Sequence, residues 1–259
     1  MSEKRGWKIR QGSKKGTRRG IYILPNLLTT GSLFAGFFSI VSVLNNRPQL
    51  AAYAIVAAAL LDGFDGRVAR WTRSTSEFGV QYDSLCDLVS FGLAPALFVY
   101  VWALKPYGRV GWLAAFLFVL CGALRLARFN VLSADSKKVD FVGLPIPAAA
   151  LVIASTALFT FHVGSFYRMP PFAVVSLVYV LGFLMVSNLR YRSYKRARIT
   201  GRKPFGVLVF SVLLLYIVLS VPQVMLLVLS GAYALSGPAE FVYARLKRKA
   251  ALTTPRTEF

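Results

Sequence analysis

Asp62, Asp65, Asp83 and Asp87 are four of only ten acidic residues in a chain of 259. They lie between two apolar stretches, in a segment reading L-D-G-F-D-G-R-V-A-R-W-T-R-S-T-S-E-F-G-V-Q-Y-D-S-L-C-D. Asp62 and Asp65 are spaced to share one helix face, and so are Asp83 and Asp87. Gly79 falls one turn before Asp83 on that face, where a missing side chain lets a ligand or a second backbone approach. A carboxylate at the bilayer centre costs roughly 2.5–3.5 kcal/mol, and several facing one another repel. A divalent metal held by oxygen ligands from two helices is the simplest compensation. The competing reading is two solvated helix ends joined by a loop, which rarely set Asp and Gly in this register.

The elements that would carry these residues are membrane helices. Hydrophobic residues make up 56% of the chain and charged residues 16%, and long apolar runs recur, as in polytopic all-α membrane bundles. Eight apolar segments are readable, at about 25–44, 50–70, 80–104, 110–130, 144–162, 170–188, 205–219 and 221–238. The last two arise from one stretch interrupted at Pro222, and each half is short for a span of ~20 residues. The expected organisation is a basic N-terminal segment at 1–20, a membrane domain at 21–204, a hydrophobic hairpin at 205–238 and a basic tail at 239–259.

A net charge of +21 would suit a nucleic-acid binder, but its placement argues for topology instead. With eight spans, the great majority of the 31 Lys and Arg residues fall in alternate segments, starting with the N-terminus. Positive residues stay on the cytoplasmic side, so both termini are expected there, and anionic headgroups are a second partner for the charge. No nucleic-acid partner is expected. The run from Met1 to Gly20 is too polar for a core and too long and basic for a cleavable signal peptide. Cys86 and Cys121 lie in apolar helices and read as packing residues. With one histidine, His162, and no zinc-type spacing, a metal here is expected to take oxygen ligands.

The same residues fit the pattern D-x-x-D-G-x-x-A-R, eight residues, then G-x-x-x-D-x-x-x-D. Asp62, Asp65, Gly66, Ala69, Arg70, Gly79, Asp83 and Asp87 occupy every fixed position. The pattern resembles the signature of the CDP-alcohol phosphatidyltransferase family. The resemblance implies a six-helix catalytic core, a CDP-linked lipid as donor, release of CMP, and a pair of divalent ions, Mg²⁺ or Mn²⁺. It implies Asp62, Asp65 and Asp83 as metal ligands and Asp87 as general base with a metal contact of its own. Gly66 and Ala69 would let the nucleotide lie close to the helix, although small residues one turn apart also serve helix packing. Arg70 would contact phosphate or pair with a carboxylate, and Gly79 would admit the diphosphate. The resemblance further implies a homodimer in the bacterial inner membrane, with the site open to the cytoplasm.

The motif leaves the acceptor alcohol open. The strings P-N-L-L-T-T-G (25–31), S-F-G-L-A-P-A (90–96), C-G-A-L-R-L-A-R-F-N (121–130) and F-V-G-L-P-I-P-A-A-A (141–150) resemble the family's membrane-integral bacterial branch, whose acceptor is L-serine and whose donor is CDP-diacylglycerol. Arg125 and Arg128 share a helix face and suit a carboxylate or phosphate through forked hydrogen bonds, with Asn130 and Asn26 as neutral polar partners. The alternative is that both arginines mark the membrane boundary and Asn26 caps the first span. Glycerol 3-phosphate or an inositol phosphate are the other acceptors within the family. A membrane cation transporter is the competing class, disfavoured because its carboxylates would sit nearer the midplane.

Overall fold

In a computed structural model of the chain, residues 23–72, 77–135, 141–164, 170–191 and 220–253 are described. They are almost entirely helical. Helix α1 spans Ile23–Leu44 and α2 spans Pro48–Thr72. The tight turn between them has Asn46 at φ 55°, a left-handed value that Asn tolerates better than most residues. The Asn46 and Arg47 N–H groups bond back to the Val43 and Ser42 carbonyls, and Pro48 opens the next helix where no N–H is needed.

The third leg is continuous but irregular. Helix α3 (Glu77–Asp87) runs into a π-helical stretch at Leu88–Leu93, then α4 (Ala94–Val99), then a second π stretch at Tyr100–Leu104. Each widened stretch lies just before or around the turn that precedes a proline, Pro95 and Pro106, whose ring clashes with a regular preceding turn. A short 3₁₀ turn and Gly108 at φ 53° reverse the chain into α5, Gly108–Asp135. Helix α5 packs back on the irregular leg.

A two-residue strand β1 (Phe141–Val142) leads to α6 (Ile146–Val163), then α7 (Pro171–Val186) and β2 (Arg190–Tyr191), which pairs antiparallel with β1. Gly143, at φ 81°, lies against the Met185 backbone where a side chain would collide. Helix α8 covers Pro222–Thr253 and lies along α6. The core is formed by small and branched residues of α2, α6 and α7 around Phe91, Phe98 and Phe118.

Among the described residues, four stretches are long and apolar enough to cross a membrane: Asn26–Leu44, Glu77–Leu132, Ile146–Val163 and Pro222–Lys247. The described residues thus do not confirm the expected count of eight. The second stretch is one such length broken at Lys105–Gly108 into two legs. Asp62 and Asp65 raise the polarity of α2, and α7 is only 16 residues long. The segment 205–219, the basic segment 1–20 and the end of the tail lie outside the described residues. Helix α8 continues through Pro238 rather than ending near it. Phe34, Phe37, Leu44, Leu60, Phe116 and Phe183 are all exposed, an outer surface suited to lipid rather than water.

Polar side chains fasten the helices internally. Ser32 donates to the Ala58 carbonyl at 3.1 Å, Ser39 to the Ala51 carbonyl at 3.0 Å, and Ser90 to the Ser32 carbonyl at 3.1 Å. Such bonds and close small-residue approaches bind helices together in lipid. At Gly36 a Cβ would lie 2.6 Å from the Ser90 backbone. Gly36→Val should separate α1 from the π stretch beside Asp87 and cost on the order of 1–3 kcal/mol. A lowered thermal midpoint in detergent, with a parallel loss of activity, is the expected measurement; an unchanged midpoint would show that the contact does not matter.

Candidate active site

Helix α2 carries Asp62 and Asp65 on its last turns, and α3 carries Asp83 and Asp87. Both helices lie against α1. The carboxylates of Asp62, Asp83 and Asp87 converge: one oxygen from each lies within 4.8 Å of the other two. All three are half-buried. Asp83 Oδ1 is buried with no hydrogen-bond partner. A buried orphan acceptor is costly, and a cation among three carboxylate oxygens would satisfy it. The donor set, all hard oxygen, fits a divalent ion of the Mg²⁺ or Mn²⁺ type.

Asp65 sits beside this trio but is held differently. It is 6% exposed, and Thr29 Oγ1 donates to its Oδ2 at 2.9 Å. The Gly66 N–H also reaches it. One oxygen of Asp65 is thus fixed by α1 while its charge still bears on Asp62 and Asp83. The string 25–31 draws attention to Asn26, yet Thr29, on the next turn, is the residue that touches the acidic cluster. The signal for Thr29 is a hydroxyl facing one helix turn of a carboxylate-bearing neighbour, which cannot be read without knowing that α1 and α2 pair. Thr30 shares a 2.9 Å hydrogen bond with the Tyr82 hydroxyl, so α1 also steadies α3.

Helix α5 supplies the cationic wall. Arg125 is only 9% exposed and lies over the Phe129 ring, 5.7 Å from its centroid. Its electrostatic neighbours are Asp87, Tyr233 and Asp62. Arg128, although on the same face, is exposed and donates to Asn188 Oδ1 at 2.7 Å, linking α5 to the segment after α7. Asn130 exchanges hydrogen bonds with Ser84, at 3.0 Å from its amide nitrogen, and reaches Gln81 at 3.4 Å. Its amide therefore ties α5 to the α3 turn that carries Asp83. Gly66 and Gly79 are half-buried near the carboxylates' own turns. The side chains of Ala69 and Arg70 lie outside the described residues.

With a divalent ion held by the trio, the arrangement could neutralise a concentrated negative charge; its carboxylates can accept a proton, and Arg125 can hold an anion. Comparison with known proteins matches residues 22–184 to the CDP-alcohol phosphatidyltransferase model. The chain is 37% identical over 231 residues to a CDP-diacylglycerol–serine O-phosphatidyltransferase of Helicobacter pylori, covering 88% of this chain and 94% of that one. A Bacillus subtilis protein of the same name is 33% identical over 173 residues, 67% of this chain and 92% of its own. An archaetidylserine synthase of Methanothermobacter thermautotrophicus is 37% identical over 170 residues, 65% and 69% of the two chains.

Asp62→Asn, Asp83→Asn and Asp87→Asn should each weaken cation binding at the trio. Wild-type protein should gain thermal stability on addition of Mn²⁺, since a ligand bound only by the folded state raises the midpoint. The three variants should gain much less, and Thr29→Val should keep most of the gain while changing the orientation of Asp65. A variant with an undiminished Mn²⁺ response would remove its carboxylate from the metal shell.

Proposed function

The chain belongs to the CDP-alcohol phosphatidyltransferase family, and from that premise we propose that it moves the phosphatidyl group of CDP-diacylglycerol to L-serine. The products are phosphatidylserine and CMP. The observation that carries this reading is the joining of the converged Asp62–Asp83–Asp87 trio to a buried Arg125. The first feature suits a diphosphate with its counter-ion, and the second suits an acceptor that carries its own carboxylate. Relatives over 88% of the chain are named for serine transfer, and the archaeal relative's name keeps serine while its lipid differs.

In this reading Asp87 accepts the proton of the serine hydroxyl. The hydroxyl oxygen forms a bond to the phosphatidyl phosphorus, the bond from that phosphorus to the CMP oxygen breaks, and CMP leaves with the electron pair. Asp62, Asp65, Asp83 and Asp87 would hold two divalent ions, Mg²⁺ or Mn²⁺, which supply neutralisation of the diphosphate and of the charge on departing CMP. Gly66, Ala69, Arg70 and Gly79 line the side where the nucleotide and its diphosphate approach. Arg125 grips the serine carboxylate; Arg128, Asn130 and Asn26 form the rim of the acceptor side.

The bundle is an integral membrane protein by its apolar helices. The finer topology is inferred from charge: eight spans, both termini in the cytoplasm, a C-terminal hairpin, and a site open to the cytoplasm of a bacterial inner membrane. A homodimer is the expected assembly. A C-terminal reporter active only outside the cytoplasm would refute the eight-span arrangement.

The deciding experiment is an acceptor screen. Purified protein with CDP-diacylglycerol and Mn²⁺ should release CMP with serine and not with glycerol 3-phosphate or an inositol phosphate, and EDTA should stop it. Asp87→Asn should lower kcat at saturating serine by about 10²–10⁴-fold, as loss of a general base does. Arg125→Lys keeps the charge but loses the planar fork, so it should mainly raise the KM for serine. CMP release that prefers another alcohol would overturn the acceptor while leaving the family in place.

A further inference from the structure

Helix α3 carries Asp83 and Asp87, yet it is only 11 residues long and runs straight into the widened turns at Leu88–Leu93. A helix of three turns is marginal by itself, so its rotation about its own axis must be set by its neighbours. Two hydrogen-bonded struts do this, one from each side. On the first side stands α1. Thr30 Oγ1 donates its one proton to the Asn26 carbonyl at 2.7 Å, so the 2.9 Å bond between Thr30 and Tyr82 is donated by the Tyr82 hydroxyl. The Tyr82 ring is stacked on Phe78, with centroids 5.9 Å apart, which limits its swing.

On the other side stands α5, where Asn130 is half-buried and directs both hydrogens of its amide to α3. One goes to Ser84 Oγ at 3.0 Å and the other to Gln81 Oε1 at 3.4 Å. Ser84 passes its own proton to the Val80 carbonyl at 3.1 Å, nearer than Asn130 Oδ1 at 3.3 Å. Each strut therefore runs through a hydroxyl and ends on a backbone carbonyl. Their placement around α3 matters. At about 100° of rotation per residue, and counting from Tyr82, Asp83 stands at about 100°, Asp87 at about 140° and Ser84 at about 200°. The struts thus grip α3 on either side of the arc that carries its carboxylates. Asp62 stands on α2, which neither strut touches, so a turn of α3 that moved Asp83 and Asp87 relative to Asp62 would break one strut or the other.

We propose that Asn130 and Tyr82 are positioning residues for the carboxylate trio: through Ser84 and Thr30 they fix the rotation of α3, and so set how tightly Asp83 and Asp87 join Asp62 around a divalent ion. This rests on the reading of the trio as the divalent-ion site. It gives Asn130, at the rim of the proposed acceptor side, a task directed at α3. Groups that orient metal-binding side chains from behind have large effects on affinity without touching the ion. The serine carboxylate does not depend on these struts, because its proposed anchor is Arg125.

The test titrates Mn²⁺ into the full-length protein in detergent, without substrates, and follows the loss of the free-ion electron paramagnetic resonance signal. Asn130→Ala should raise the Kd for Mn²⁺ about tenfold, the scale expected for an orienting partner of a metal ligand. Ser84→Ala and Tyr82→Phe, which keeps the ring on Phe78, should each raise it severalfold. The Asn130→Ala, Ser84→Ala double variant should match Asn130→Ala alone, because the two residues act through one chain of bonds. With CDP-diacylglycerol and serine present, the Asn130→Ala defect should be large at limiting Mn²⁺ and recover with excess Mn²⁺, and the KM for serine should not rise. If Asn130→Ala does not fold, Ser84→Ala and Tyr82→Phe are measured with the same expected outcome. An unchanged Kd for Mn²⁺, multiplicative effects in the double variant, or a defect that excess Mn²⁺ leaves in place overturns the positioning role. A raised serine KM at saturating Mn²⁺ assigns Asn130 to the acceptor instead and overturns it too. A wild-type protein that binds no Mn²⁺ overturns the reading of the trio as an ion site, and this inference with it.

Discussion

Mutual repulsion among buried carboxylates is the constraint around which this bundle is built. Asp62, Asp83 and Asp87 bring oxygens within 4.8 Å of one another, in surroundings where charge is poorly screened. No apolar packing would select that arrangement for its own sake. The surrounding structure holds it in place and neutralises it only in part: α1 fastens Asp65 through Thr29, Asn130 fastens α3 to α5, and Arg125 stands on one flank. The orphaned Asp83 Oδ1 is an acceptor that a cation would satisfy. A site satisfied by the protein alone would have no free capacity for a diphosphate and its counter-ions. In the proposed reaction, the polarity that destabilises the resting site would be the source of its affinity for the diphosphate and its counter-ions.

The irregular third leg answers the same demand. Asp87 ends a regular helix, and the backbone widens immediately after it at Leu88–Leu93. A π turn rotates the downstream residues relative to the upstream ones. Asp83 and Asp87 can therefore face α2 while Phe91 and Phe98 face the core. Gly36 and Ser90 lock the widened turn against α1. The proline at 95 makes the distortion a property of the sequence rather than of the ligand.

How much of this could be read from the sequence depends on the range of the interaction. The helices around 25–44, 50–70, 80–104, 110–130, 144–162 and 170–188 are legible because apolar length and flanking Gly and Pro are local signals. The Asp pairs are legible for the same reason, since their spacing fixes a shared face. The count of spans is less so. Pro222 suggests an interruption, and α8 begins at that residue as an initiator and then runs through Pro238, so proline alone does not mark an end. Thr29 and Tyr82 are not legible, because each acts across a helix pair that the sequence does not announce.

Arg125 and Arg128 show that limit most plainly. Spacing puts them on one face as equal candidates for an anion. The bundle makes them unequal: Arg128 is exposed and bonded to Asn188, whereas Arg125 is buried over the Phe129 ring with Asp87 and Asp62 as electrostatic neighbours. The difference comes from what packs around each position, which spacing along one helix does not reveal. Burying one guanidinium beside two aspartates costs desolvation that an exposed arginine avoids. Retaining it there is reasonable only if the enclosed charge meets something that an exposed one would meet less selectively. The proposed acceptor, a small alcohol with its own carboxylate, would be such a partner, and an alcohol without an anionic group would gain nothing from that enclosure.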